Sequence, residues 1–423
     1  MNNNIKLFTR RTFIRNVFAG SFGIAIATVL GCQDDSVDIL NQQKPSENFN
    51  AQPKNTSPKK SMTTPLKQSS VNPTNEPNVI APKEPVIITT SKPLESINSD
   101  VKKSIVESKK ISREFKPRFA GTHYKGPLFD SHLHMPELIE DKNILNSSIL
   151  NTDVSMEEII DYLNKENVTE SIAFSLPHPQ KFQEYYAIAN QLRDINILNL
   201  FVGYPGPHPQ ILESILSMSN GLYKGLGELG FYTYPLKGTP PDAPQMSALY
   251  NIIGKYKMIV MLHPDNGQSQ NVRNMLKMHP DVNFLFHGNE ICYDIDSIIN
   301  EFDNAYFSID SAVFFTTVYK FTNQRPRIKP MYGLFTSGPL ENFISAIENQ
   351  YYNILNDNID FWKSKIEANP TKYLWGTDRF LPWHWSEEVS LLFEEFARAF
   401  IGGLPKSTQE MYAYINGKKL LNS

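Results

Sequence analysis

From Gly126 to the C-terminus, short apolar runs alternate with longer stretches whose apolar positions recur at helical spacing. The runs are Pro127–Phe129, Ile172–Leu176, Leu198–Val202, Leu222–Leu229, Met258–Leu262, Asn283–Phe286, Ala305–Ile309 and Tyr373–Trp375. Runs this short, rich in β-branched and aromatic residues, suit strands buried on both faces of a parallel sheet. Helix starts are legible between them. Ser155-x-x-Glu158 reads as a capping box that opens a helix over Met156–Lys165, and Ser407-x-x-Glu410 reads the same way near the C-terminus. Eight strands with intervening helices and a final helix is the count of an α/β fold of the (β/α)8 TIM-barrel type, over residues 119–423. The stretch 311–372 is too long for one crossover and is expected to be an insertion that covers the mouth of the barrel. A doubly wound sheet gives the same alternation, so periodicity alone leaves both architectures open.

Upstream the pattern breaks. Lys6, Arg10, Arg11 and Arg15 precede an apolar stretch from Val17 to Leu30 that is too short to span a bilayer comfortably, so residues 1–32 read as a signal peptide. Residues 33–118 carry recurrent prolines, among them Pro45, Pro53, Pro65, Pro73 and Pro85, with Val86-Ile87-Ile88 the one short apolar run. Such a segment buries too little surface to offset its ordering entropy and is expected to be a disordered tether. The run Thr9–Arg15 resembles the twin-arginine export signal, and Val29-Leu30-Gly31-Cys32 resembles a bacterial lipobox. These likenesses imply export of a folded protein and a lipid on Cys32. The anchor would lie on the outer face of the cytoplasmic membrane or on the outer membrane. An uncleaved N-terminal anchor is the plainer alternative and gives the same side of the membrane.

Composition narrows the function classes. The 423 residues are 40% hydrophobic, enough for a substantial core, and the net charge of -3 lacks the basic surplus that nucleic-acid binding needs. Two cysteines, Cys32 and Cys292, cannot build a disulfide framework.

In a barrel, reactive side chains come from the C-terminal ends of the strands, which surround one bowl. The first run leads into Asp130-Ser131-His132-Leu133-His134, the fourth ends at Gly227-Glu228-Leu229-Gly230, the fifth at His263, the sixth at His287-Gly288 and the eighth at Gly376-Thr377-Asp378. Residues two apart on a strand share a face, so His132 and His134 can reach one ion. Imidazoles with carboxylates are the ligand set of zinc and related divalent metals, and Glu228 could bridge two sites. Taken singly, each residue has an ordinary structural reading as a strand-end or turn residue. Their ordered conjunction favours a metal site, and with it the barrel.

This set resembles the metal-dependent amidohydrolase superfamily over about Gly126–Ser423. His132, His134, His263, His287 and Asp378 match its ligand positions; Gly227-Glu228-Leu229-Gly230 is similar to the TatD-like branch, and Trp375-Gly376-Thr377-Asp378 to that branch and the amidohydrolase-related one. Tyr232 stands where TatD-type proteins carry an acid, and Phe380 where they carry a proline. The resemblance implies a hydrolase acting through one or two divalent ions, Zn2+ first, with activated water cleaving an ester, lactone, amide or phosphoester of a small molecule. It implies Asp378 as proton acceptor and donor, Glu228 as bridge, His287 as ligand or polarising group and Asp130 orienting a ligand histidine. His178, His208, Arg379 and His384 follow strand ends and are expected at the substrate rim, Arg379 to hold an anionic group. A single-metal lyase of decarboxylase type and a non-catalytic surface lipoprotein are the alternatives.

Overall fold

The computed structural model describes residues 113–134, 156–174, 197–311, 313–314, 340–380 and 382–423. Eight parallel strands follow one another in chain order: β1 (Leu128–His134), β2 (Val168–Phe174), β3 (Leu198–Val202), β4 (Tyr223–Gly230), β5 (Ile259–His263), β6 (Asn283–Phe286), β7 (Ala305–Ile309) and β8 (Tyr373–Trp375). The ring closes just beyond β8. There the His134 N–H donates to Arg379 O (3.2 Å), the Asp378 N–H donates to His132 O (2.8 Å), and Leu133 and Arg379 form a parallel bridge. A doubly wound sheet has two open edges, so the closure decides for the (β/α)8 barrel.

The crossover helices are α1 (Met156–Lys165), α2 (Pro209–Met218), α3 (Pro244–Lys255), α4 (Ser269–Met278), α5 (Ile295–Glu301) and α6 (Leu340–Ala368). Pro209 and Pro244 sit in first turns, where the missing N–H has no intrahelical partner to lose. After β8 a short 3-10 turn (Pro382–Trp385) leads into α7 (Glu387–Gly402), where the Ser386 side chain caps Val389 N–H (3.4 Å) and Glu387 and Glu388 face the positive helix end. The C-terminal helix α8 (Lys406–Glu410) departs from expectation: Pro405 occupies its N-cap, and Ser407 lies inside the first turn without capping it. Proline already fixes the entry dihedral, so the serine signal is redundant there. Ser155 lies outside the described residues, although α1 has the expected bounds.

Within the stretch 311–372, residues 340–368 form one long helix. This helix, α6, buries Phe343, Ile347 and Tyr351 and packs on α7, with Phe343 against Phe393 and Tyr351 against Phe396. Residues 315–339 lie outside the described residues.

The core has two parts. A large outer layer joins strands to helices, and a smaller one fills the barrel with Phe129, Ile172, Phe201, Ile259, Met261, Leu285 and Leu374. The N-terminal mouth is closed by a π-helical turn (Met411–Ile415) and α9 (Asn416–Leu421). Leu420 joins the inner core, and the Asn416 side-chain amide donates to Pro370 O (2.8 Å) and Tyr373 O (2.9 Å).

Residues 113–118, expected at the end of the tether, are docked on α7. Arg113 pairs with Glu394, Arg118 binds Glu395 through its Nε (3.0 Å), and Arg398 lies over Phe115. Charge pairing rather than apolar burial holds this segment, so its composition gives little sign of it. The signal peptide, Cys32 and the rest of the tether lie outside the described residues. Among the described residues, no helix is long and apolar enough to cross a membrane.

Candidate metal centre

Six strand exits converge on one buried set of imidazoles and carboxylates. On β1 the register shifts between Asp130 and Leu133, and beyond the shift Leu133 packs outward while His132 and His134 face inward, Nε2 to Nε2 at 3.3 Å. This is the period-two alternation of a strand re-phased by a bulge. Glu228, from β4, stands between two histidine pairs. Its Oε1 is 2.6 Å from His287 Nε2 and 3.3 Å from His263 Nδ1; its Oε2 is 3.6 Å from His134 Nε2 and 3.9 Å from His132 Nε2. Asp378, just past β8, brings Oδ1 to 3.1 Å from His134 Nε2 and 3.2 Å from His132 Nε2. Its backbone is left-handed (φ 50), a conformation that Asp tolerates better than most residues. All six residues anticipated as ligands are therefore brought together.

Burial and mutual charge set the protonation pattern. Burial lowers the pKa of His132 and takes that of His134 down to about 4, so both rings are neutral with a lone pair to offer. Burial opposes charge on His287 too, but the carboxylates of Glu228 and Asp310 outweigh it and hold that ring's pKa well above the ordinary value. Glu228 is held well below the carboxylate range: burial works against this, and His287, His263 and His132 overcome it. Burial, together with Asp310 and Glu228, lifts Asp378 to about 7 against the pull of His132 and His287.

The donor set fits a divalent cation. His Nε2 or Nδ1 atoms and carboxylate oxygens fall into overlapping groups within 4.8 Å: His132, His134 and Glu228; Glu228, His263 and His287; and His132, His287, Asp310 and Asp378. His263 Nδ1 is buried and makes no hydrogen bond among the described residues, although Glu228 Oε1 is 3.3 Å away. A buried nitrogen and a carboxylate so placed suit a shared ion.

Two acidic residues here escape the sequence reading. Asp310, at the exit of β7, brings Oδ2 to 2.9 Å from His132 Nδ1 and 3.4 Å from His287 Nδ1. Glu290, in the loop after β6, holds His263 Nε2 at 2.8 Å. The rule applied to the other strand exits would have found Asp310, the residue directly after Ile309. Glu290 is one of many loop acids and carries no such signal.

Several expected roles are corrected. Asp130 binds backbone and hydroxyl groups. Its carboxylate accepts from His132 N–H (3.1 Å), Thr377 N–H (2.9 Å) and the Thr377 hydroxyl (2.6 Å), tying the exits of β1 and β8. Arg379 is not on the rim: it is fully buried, donates to Glu166 (2.7 Å) and stacks over Trp385 and Phe393, so it cannot meet an anionic group in the bowl. His384 is likewise buried. Its Nδ1 accepts from Phe380 N–H (3.2 Å), and its ring packs on Trp383 and Phe393. His208 is exposed at the start of α2, and His178 lies outside the described residues.

No family model and no curated protein matches this chain. Among solved structures, the chain is similar to 2,6-dihydroxybenzoate decarboxylase from Rhizobium, at 13% identity over 70% of this chain and 99% of that one, with a TM-score of 0.41. It is also similar to a dihydroxybenzoic acid decarboxylase from Polaromonas sp. JS666 with bound manganese and the inhibitor 2-nitroresorcinol (11% identity, 70% and 97% covered, TM-score 0.42). An amidohydrolase from Burkholderia multivorans with bound zinc is a third (11% identity, 70% and 99% covered, TM-score 0.45).

Proposed function

We propose that this chain is a metal-dependent hydrolase of the amidohydrolase superfamily, acting on a small molecule outside the cytoplasmic membrane. One observation carries the reading: Glu228 offers one oxygen to His263 and His287 and the other to His132 and His134. A carboxylate with a nitrogen pair on each side suits a bridge between two cations, which His132, His134, Glu228, His263, His287 and Asp378 would hold, zinc fitting this nitrogen and oxygen set. Bound there, divalent ions supply Lewis acidity and make water a nucleophile at neutral pH.

The protein's own groups do the rest. Asp378 keeps Oδ1 beside His132 and His134 at the edge of the bowl, where it can take a proton from an attacking water and return it to the leaving group. Glu228 and the histidines fix the reacting geometry in a site closed below by packed core. A single-ion lyase would leave the two-sided placement of Glu228 without a use, which favours the hydrolase.

The twin-arginine-like run Thr9–Arg15 and the lipobox-like Val29–Cys32 support export and a lipid anchor at Cys32. Metal-loaded full-length protein, assayed on a panel of ester, lactone, amide and phosphoester substrates, should turn over at least one class. Asp378→Asn should reduce that rate by about 10²- to 10⁴-fold. Equal rates for the two proteins would refute the assignment.

A further inference from the structure

We infer that Asp310 is a positioning residue of this centre, one buried carboxylate that orients His132, keeps that ring's proton on Nδ1 and stands beside His287. The inference rests on the metal-centre reading above and extends it to Asp310, which falls in one of the donor groups but is not among the six proposed ligands. Asp310 Oδ2 lies 2.9 Å from His132 Nδ1 and 3.4 Å from His287 Nδ1, while the Nε2 atoms of the same rings face Glu228, at 3.9 and 2.6 Å. The carboxylate thus sits behind both rings, on the side away from the bridging position. Its side chain is 0% exposed, against 9% for Glu228 and 10% for Asp378, which border the bowl.

Asp310 is itself held rigidly. Its Oδ1 accepts from Val313 N–H (3.0 Å), its carbonyl from Phe314 N–H (2.9 Å), and the carbonyl of Ile309 takes the Tyr412 hydroxyl (3.1 Å). The rings it touches come from β1 and β6 and meet edge to face with centroids 4.0 Å apart. An ionised carboxylate can only accept, so His132 must donate from Nδ1, which leaves the Nε2 lone pair directed at the bowl. Partners of this kind fix tautomer and ring angle, and their loss typically costs about 10- to 100-fold in metal affinity. A plain turn cap would need only the Oδ1 contact to Val313, and that leaves the placement of Oδ2 unexplained.

Asp310→Asn separates these roles, because the amide oxygen preserves the Val313 cap and the volume. Full-length, metal-stripped protein with ¹⁵N-labelled histidine should show the His132 proton on Nδ1, and the variant should move it wholly or partly to Nε2. Zn2+ titration should give about 10- to 100-fold weaker binding for the variant. Wild-type affinity in the variant, or a wild-type His132 protonated on Nε2, overturns the inference. Should the variant not fold, the wild-type tautomer decides alone. Should wild-type protein bind no Zn2+, the metal reading falls, and the tautomer shift still decides whether Asp310 orients the ring.

Discussion

Gly288 and His263 fit against each other so closely that a methyl group on Gly288 would overlap the imidazole at Nε2. Gly288 also has φ 93, a region that L side chains rarely adopt. Gly288→Ala should therefore displace His263, lower thermal stability by about 1–3 kcal/mol and weaken metal binding in the same variant. Calorimetric unfolding and Zn2+ titration would read the two effects. A variant with wild-type metal affinity would mean that His263 is not held by this contact.

Glu290 holds the same nitrogen from the other direction, 2.8 Å from His263 Nε2. Glu290→Gln keeps the shape and removes the charge, so metal affinity is expected to fall by about tenfold or more with little change in unfolding temperature. Titration of the stripped variant with Zn2+ measures it, and an unchanged affinity would assign Glu290 to the loop alone.

The buried pair of Arg379 and Glu166 gives a pH dependence with a definite sign. Burial pushes the Glu166 carboxyl from 4.5 up to about 7, against the pull of Arg379. A raised folded-state pKa means that this group's contribution to stability is fully present below about 4.5 and is lost as the pH rises through about 7. Glu166→Gln resembles the protonated carboxyl, so it should lie close to the wild type in stability at pH 5. Its fall in stability between pH 5 and pH 8 should be shallower than the wild type's. Denaturant titrations at the two pH values test this, and parallel slopes would contradict it.

Gly417 provides a contrast far from the chemistry. A methyl group there would strike the Phe129 ring at the closed mouth of the barrel. Gly417→Ala should cost about 1–3 kcal/mol of stability by overpacking and leave Zn2+ affinity unchanged. A matching loss of affinity would show that the two ends of the barrel are coupled.

Much of this molecule is legible in its sequence, for identifiable reasons. Strands such as Leu198–Val202 and Ala305–Ile309 are buried on both faces, so their apolar runs mark them to the residue. His132, His134, Glu228, His263, His287 and Asp378 are legible because the barrel turns strand exits into neighbours. The reading fails where side-chain direction matters. Arg379 follows Asp378 in sequence yet points to Glu166, because the chain has left β8 and Asp378 takes a left-handed backbone that no strand pattern anticipates. His384 lies in a loop whose aromatic packing no period describes, and only the fold shows that Asp310, rather than Asp130, stands beside the His132 ring.

The placement of Glu228 between two histidine pairs is the centre of the account, and metal stoichiometry tests it most directly. Full-length protein equilibrated with Zn2+ and dialysed should retain two ions per chain by elemental analysis, and Glu228→Ala at most one. A wild-type protein that retains none, or a Glu228→Ala variant that retains two, would contradict it.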